Sequence, residues 1–211
     1  MLAALAPATF GSDRELEDAR ESLAYWENRA RTLPLHAVRR RREAREMTHR
    51  WQARVAEAER IVYGRGLLGA LLLVAAVIDV RTFTISNRLN LTVALLAPVY
   101  WLSTATPLWP DAAIHVGAGA GVFVLLAMAF YAGMMGGGDV KLAAALALWF
   151  SPASTLKFLV IMSLAGGVLT LVYLAFHRLK RREGRPEIPY GVAIAFGGIA
   201  ILAQRFLNQF A

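Results

Sequence analysis

The sequence predicts an all-α, polytopic membrane protein of about six transmembrane helices, preceded by a polar helical arm. Three observations predict it. Of the 211 residues 57% are hydrophobic, and the mean hydropathy is +0.45, which is more apolar than an ordinary soluble domain. Charge is segregated: residues 1–60 hold 12 of the 23 Lys and Arg and 10 of the 15 Asp and Glu, leaving 11 basic and 5 acidic groups for residues 61–211. From Ile61 onward, apolar runs approaching bilayer-crossing length alternate with short polar loops. The chain therefore divides into an Arg-rich helical arm, 1–60, and a transmembrane domain, 61–211.

Within the arm, residues 12–31 and 36–60 read as helices. Ser12 and Glu15 have the spacing of a capping box, and Pro34 separates the two segments. Their apolar stripe is thin: Leu16, Leu23 and Trp26, then Val38, Met47, Trp51 and Val55. Helices with so narrow a face are marginal alone and are expected to lie on a membrane surface or against a partner. The opening MLAALAPATF is too short for a secretory apolar core and has no basic residue before it, so it is not read as a signal peptide.

Candidate spans lie at 61–78, 89–105, 112–132, 140–150, 155–176 and 188–207. A spanning helix needs about 20 apolar residues, so the fourth reads either as a half-helix or as continuing through Ser151–Ser154 into the fifth. Gly117 and Gly121 form a G-x-x-x-G pair, expected to serve close helix packing. Basic residues mark the loops at 79–88 and 177–187, whereas 103–111 and 151–154 carry none. The excess of positive charge on inner loops puts 79–88, 133–139 and 177–187 at the cytoplasmic face and both termini outside. An Arg-rich arm outside conflicts with that rule. Three readings stay open: its near-balance of acids exempts it, the first stretch does not span as drawn, or the true start lies further in, at Met47.

Several chemistries are excluded. With no cysteine there is no disulfide, thiolate metal site or cysteine nucleophile. The basic pI follows from residues at helix ends and in the arm, so nucleic acid is not an expected partner. No G-x-x-x-x-G-K-[ST] phosphate loop is present. His115 and His177 lack partners at metal-ligand spacing and read as structural or interfacial, and neither metal nor cofactor is expected.

Five acidic residues remain in the membrane domain: Asp79, Asp111, Asp139, Glu183 and Glu187. The glutamates read as solvated charges in a basic loop. Asp111, after Trp109-Pro110 and before an apolar run, reads as a helix N-cap. Asp79 ends the first span and Asp139 begins the fourth, so helices of opposite direction bring both to one depth. Each taken alone reads as an interfacial charge or cap. Together, with Gly136-Gly137-Gly138 beside one of them, they read as a functional pair, because ionisable residues at membrane depth are rare. Two adjacent carboxyls do not readily ionise together, and such a pair can activate a water against a peptide carbonyl. The glycines would let a substrate backbone approach Asp139.

These residues also carry a resemblance. Gly136, Gly138 and Asp139, followed by Val140-Lys141-Leu142, resemble the GxGDxKL signature of the type IV prepilin peptidases, which are GxGD membrane aspartyl proteases. Upstream, Asp79, Ile85 and Asn87 resemble that family's Asp-x5-Ile-Pro-Asn box, with Ser86 where proline is usual. Downstream, Ile188-Pro189-Tyr190-Gly191-Val192-Ala193 resembles its PYG segment. The resemblance covers about residues 65–205 and implies a catalytic dyad of Asp79 and Asp139.

It further implies an inner-membrane enzyme that removes the short basic leader of pilin-like precursors at the cytoplasmic face. Lys141, about 200° around the helix from Asp139, is expected to anchor the helix or contact substrate, and Asn87 to fix the loop after Asp79. Pro189 and Gly191, around Tyr190, either loosen the last helix beside the site or simply start it. Larger members methylate the new N-terminus and carry a cysteine-rich zinc loop. Only ten residues separate the first two spans here, so a peptidase without that loop and without methylation is expected, like the short forms of tight-adherence pilus systems and archaeal preflagellin peptidases. A second reading is a small proton- or cation-coupled transporter using the same aspartates. A structural subunit whose aspartates merely cap helices is a third.

Overall fold

The computed structural model describes residues 13–34, 36–179 and 188–207. Among them all regular structure is helical: α1 (Asp13–Thr32), α2 (Val38–Thr82), α3 (Asn87–Ser103), α4 (Ala113–Tyr131), α5 (Gly137–Ala147), α6 (Pro152–Leu179) and α7 (Tyr190–Leu207). Three stretches are long and apolar enough to cross a bilayer, within Val38–Thr82, Leu108–Tyr131 and Pro152–Phe176, and Tyr190–Gln204 is a shorter apolar helix. The protein is thus an all-α, multi-pass membrane protein. Each expected span has its helix, but α3 and α5 fall short of a crossing. At 1.5 Å per residue they extend roughly 26 and 16 Å, against a hydrocarbon core of about 30 Å.

Two compact units divide within α2 between Arg65 and Gly66: the second covers Gly66–Gln204, and the described residues from Arg205 onward group with the first. In the first, the arm helices are separated at Pro34 as expected, but they partner each other: Leu16 and Ala19 of α1 are buried with Ala58 of α2, flanked by Trp51, Val55, Ile61 and Val62. Arg20 donates to Glu59 at 2.6 Å across the same contact. There is no break at residue 60, because α2 runs unbroken through the position where the first span was expected to begin. Ser12 lies outside the described residues, as do Glu183 and Glu187.

In the second unit α5 is the central element. Leu142, Ala143, Leu146 and Ala147 are fully buried, and Val140 and Ala145 nearly so. Its alanines keep it slim enough to be enclosed by α3, α4 and their neighbours. Before it, α4 ends at a left-handed Gly133 (φ 70°). Gly133 N–H bonds the Phe130 carbonyl at 2.9 Å, and Met134 N–H the Ala129 carbonyl at 3.0 Å. This double closure, which an L side chain at 133 would strain, stops the helix. After it, α5 does not continue through residues 151–154. Ser151 Oγ accepts the Ser154 N–H at 3.4 Å, and Pro152 takes the first helical position, so that segment starts α6 afresh.

Two other expectations are corrected. Among the described residues, no atom outside their own helix lies within 4 Å of where a Cβ of Gly117 or Gly121 would stand, so the G-x-x-x-G pair makes no close helix contact there. The contact belongs to Gly119 between them, where a Cβ would lie 2.7 Å from Leu148 Cδ2 and 3.3 Å from the Ala144 carbonyl oxygen. Asp111 does not cap α4: it is exposed inside a wide turn, Leu108–Ala112, and the cap residue Ala112 offers no side-chain bond. His115 is structural, its Nδ1 2.9 Å from the Phe150 carbonyl oxygen; the His177 side chain lies outside the described residues.

The α4–α5 contact sets an expected outcome. Gly119→Leu overfills the seam and lowers stability by about 1–3 kcal/mol, whereas Gly117→Leu leaves it near wild type. Thermal midpoints of the purified protein in one detergent check this, and equal midpoints for the two variants would contradict the seam.

Candidate active site

The site is assembled where α2 ends, α3 and α5 begin, and α7 begins. Asp79 occupies the last turn of α2. The helix stops because Phe83 turns left-handed (φ 52°) and its N–H closes on the Asp79 carbonyl at 2.8 Å. Four residues later the chain re-enters a helix. Ser86 lies outside α3 as its N-cap, and its Oγ accepts the Leu89 N–H at 3.3 Å. Where the resembling family has proline, this chain thus has a hydroxyl cap.

Asp139 stands in the first turn of α5, whose N-cap is Gly136. Its carboxyl turns back to engage the Gly136 backbone, and a Cβ at 136 would lie 2.8 Å from its Oδ2. This is the geometry of a third-residue acid reaching back to a helix cap, so part of the capping reading holds alongside any chemistry. Asp79 takes its partner from a distant element: Gly191 N–H donates to Asp79 Oδ2 at 2.6 Å, with the Val192 amide also engaged. Both amides belong to the first turn of α7, where a helix has no i−4 carbonyl for its N–H groups; the Val192 N–H also bonds the Pro189 carbonyl at 3.2 Å. Asp79 is 3% and Asp139 9% exposed, and Asp139 lies within reach of the Asp79 charge. Among the described residues neither carboxyl has a cationic ion-pair partner.

Ile85 wedges these pieces together. A Cβ at Gly191 would lie 2.6 Å from Ile85 Cδ1 and 2.8 Å from Asp79 Oδ2, and a Cβ at Gly138 would lie 2.8 Å from the Ile85 carbonyl oxygen. Both glycines are therefore needed for close approach. Pro189 is fully buried just ahead of α7, and Tyr190 hydroxyl lies 3.3 Å from Thr170 Oγ1. Pro189 thus stands just ahead of α7, and Gly191 in its first turn presents the amide that meets Asp79.

Of the remaining expected residues, Lys141 and Asn87 find each other. Lys141 Nζ donates to Asn87 Oδ1 at 2.8 Å, both side chains being exposed. Lys141 is a surface strap between α3 and α5. Sequence reasoning missed Asn90, which is buried and donates through Nδ2 to the Gly138 carbonyl at 2.9 Å, with its Oδ1 unpartnered. An amide inside the apolar run LTVALL and its flank was the available signal. The wedging by Ile85 had no such signal, since only the fold brings residues 85, 138 and 191 together. Among the described residues no group of three or more His, Asp or Glu is placed to hold a metal ion.

With the geometry described, comparison with known proteins becomes informative. The model of the type IV leader peptidase family matches residues 66–171, half of the chain and nearly the whole stretch from α2 into α6.

The chain belongs to the type IV leader peptidase family.

A prepilin leader peptidase/N-methyltransferase of Pectobacterium carotovorum subsp. carotovorum is 30% identical over 142 residues, 65% of this chain and 50% of the relative. The chain thus matches about half the length of that curated relative. No solved structure matches it significantly. Membership in a leader peptidase family makes the chain a member of a protease family, and the matched region contains Asp79, Asn87, Gly136, Gly138, Asp139 and Lys141.

The glycine contacts set a second expected outcome. Gly138→Ala forces backbone apart at Ile85 and lowers the thermal midpoint clearly. Gly137→Ala meets only the Phe130 ring at 3.3 Å, which can swing aside, and stays near wild type. A comparable loss in both variants would contradict the close approach at 138.

Proposed function

We propose that the protein is a membrane aspartyl endopeptidase that removes the short basic leader of type IV pilin-like precursors at the cytoplasmic face of the inner membrane. The observation that carries this reading is the convergence of two buried carboxyls, Asp79 and Asp139, without cationic partners among the described residues, in a leader peptidase family member. Adjacent carboxyls share a proton. The ionised one takes a proton from a water between them, and the water oxygen attacks the scissile carbonyl carbon while the protonated one donates to the carbonyl oxygen. Collapse of the tetrahedral species breaks the C–N bond, and the proton first taken from water passes to the leaving amine. The roles belong to the pair rather than to either residue.

The remaining groups position this pair. Gly191 N–H holds one oxygen of Asp79, Asn90 steadies the Gly138 carbonyl, and Gly138 lets the Ile85 backbone close against α5. Arg81, Arg88 and Lys141 near these helix ends support a cytoplasmic placement. An acidic pair at that depth suits a substrate whose leader is basic and whose continuation is an apolar helix. That substrate class is also supported by the printed name of the Pectobacterium relative.

We assign it peptidase activity without N-methylation. The four residues between α2 and α3 hold no inserted domain, and the chain has no cysteine for a zinc loop.

Asp79→Asn and Asp139→Asn are each expected to lower cleavage of a pilin-like precursor by about 10²–10⁴-fold at unchanged membrane abundance, read by gel shift after co-expression. Full cleavage by either variant would overturn the dyad, and failure of wild type to cleave would return weight to the transporter reading. Mass spectrometry of the product, with S-adenosylmethionine supplied, is expected to show a free N-terminal amine; an N-methylated amine, with a methyl group in place of one N–H hydrogen, is the contrary result.

A further inference from the structure

A groove beside the dyad has no occupant among the described residues. It encloses about 490 Å³, within the ~300–1,000 Å³ of ordinary binding sites, between the end of α4, α6 and the start of α7. Met134 and Met135 line it, and they directly precede the Gly136–Asp139 run. Tyr190 also lines it, directly before the Gly191 that holds Asp79. One end of the groove is therefore built from the two segments that carry the dyad's backbone supports.

From there it follows α6 from Leu171 and Thr170 back to Ser163 and Met162, about 13 Å at 1.5 Å per residue. Tyr190 packs at 3.4 Å from where a Cβ of Gly166 would stand, and its hydroxyl reaches Thr170. Gly166 thus serves the fold. Gly167 does not: a Cβ there would meet no atom within 4 Å, and glycine inside a helix costs about 1 kcal/mol relative to alanine. Small residues let helices in a membrane approach closely, and methionines adapt to varied side chains.

We propose that this groove seats the apolar helix lying C-terminal to the scissile bond of the leader-bearing precursor, packed against Gly167. The inference rests on the peptidase reading of Asp79 and Asp139 and adds the surface by which the membrane part of the substrate is held. A lipid acyl chain is the competing occupant. Continuity of the groove with both dyad segments favours the substrate, because a peptide cut at Asp79 and Asp139 must continue from that point into the bilayer.

The test compares wild type with Gly167→Leu, with Ser163→Leu as an independent filling of the groove, and with Val172→Phe, exposed on the opposite face of α6, as control. Each is assayed on two substrates: a membrane-inserted precursor with leader and apolar helix, and a soluble peptide spanning only the leader and the residues around the cut. Either filling is expected to lower kcat/KM for the inserted precursor on the order of tenfold, through KM. The soluble peptide is expected to be cut at the wild-type rate, and Val172→Phe to match wild type on both. Unchanged cleavage of the precursor by a stably accumulated groove variant would assign the groove to lipid and overturn the proposal while leaving the peptidase standing. Equal loss on both substrates would also overturn it, as damage to the dyad. Wild type that cuts neither substrate would remove the peptidase reading and this inference with it.

Discussion

Everything in the transmembrane unit turns on keeping two carboxyls inside an apolar bundle. Hydrocarbon offers no water to solvate them, so compensation has to come from backbone amides, and free amides occur where helices begin. That requirement explains why the site lies at helix ends rather than mid-helix. Asp79 is met by the first turn of α7, and Asp139 folds back on the cap of its own helix. Three helix starts and one helix end converge on a small volume. Each is fixed by a local device: a left-handed residue after α2, a hydroxyl cap before α3, a glycine cap before α5 and a buried proline before α7.

The convergence in turn dictates where side chains are absent. Gly138 and Gly191 flank Ile85 so closely that any Cβ would collide with its backbone or with Asp79 itself. The short, slim α5 follows from the same demand. A helix carrying Asp139 into the middle of the unit must be enclosed by its neighbours, and alanines at 143, 145 and 147 permit that enclosure. Its shortness leaves a non-helical corner at 148–151, where Trp149 donates its indole N–H to the Val93 carbonyl at 3.0 Å. The polar corner is thereby satisfied within the protein.

Much of this was legible from residue order. Apolar runs located the helices, and the two aspartates at helix ends, with glycines beside one, located the site. The parts that were not legible share a physical reason, which is that they depend on pairs distant in sequence. Nothing local distinguishes Gly119, which touches α5, from Gly117 and Gly121, which make no close helix contact among the described residues. The thin stripe on the arm gave no sign that its partner was the neighbouring arm helix. Asn90 reads as an ordinary polar residue until Gly138, 48 positions away, is placed against it. The expected Asp111 cap failed because the turn before α4 is wider than a simple N-terminus.

Ser86 carries a consequence for how such chains are recognised. Its backbone sits at φ −69° and ψ 143°, and that φ is the one a proline ring would fix unaided. The pyrrolidine reaches it by covalent restraint, and serine reaches it by holding an amide of the following helix. The letter at this position is thus interchangeable while the dihedral angles are not. A search pattern demanding proline would pass over this chain, whereas one written as a torsional requirement plus a helix start would retain it.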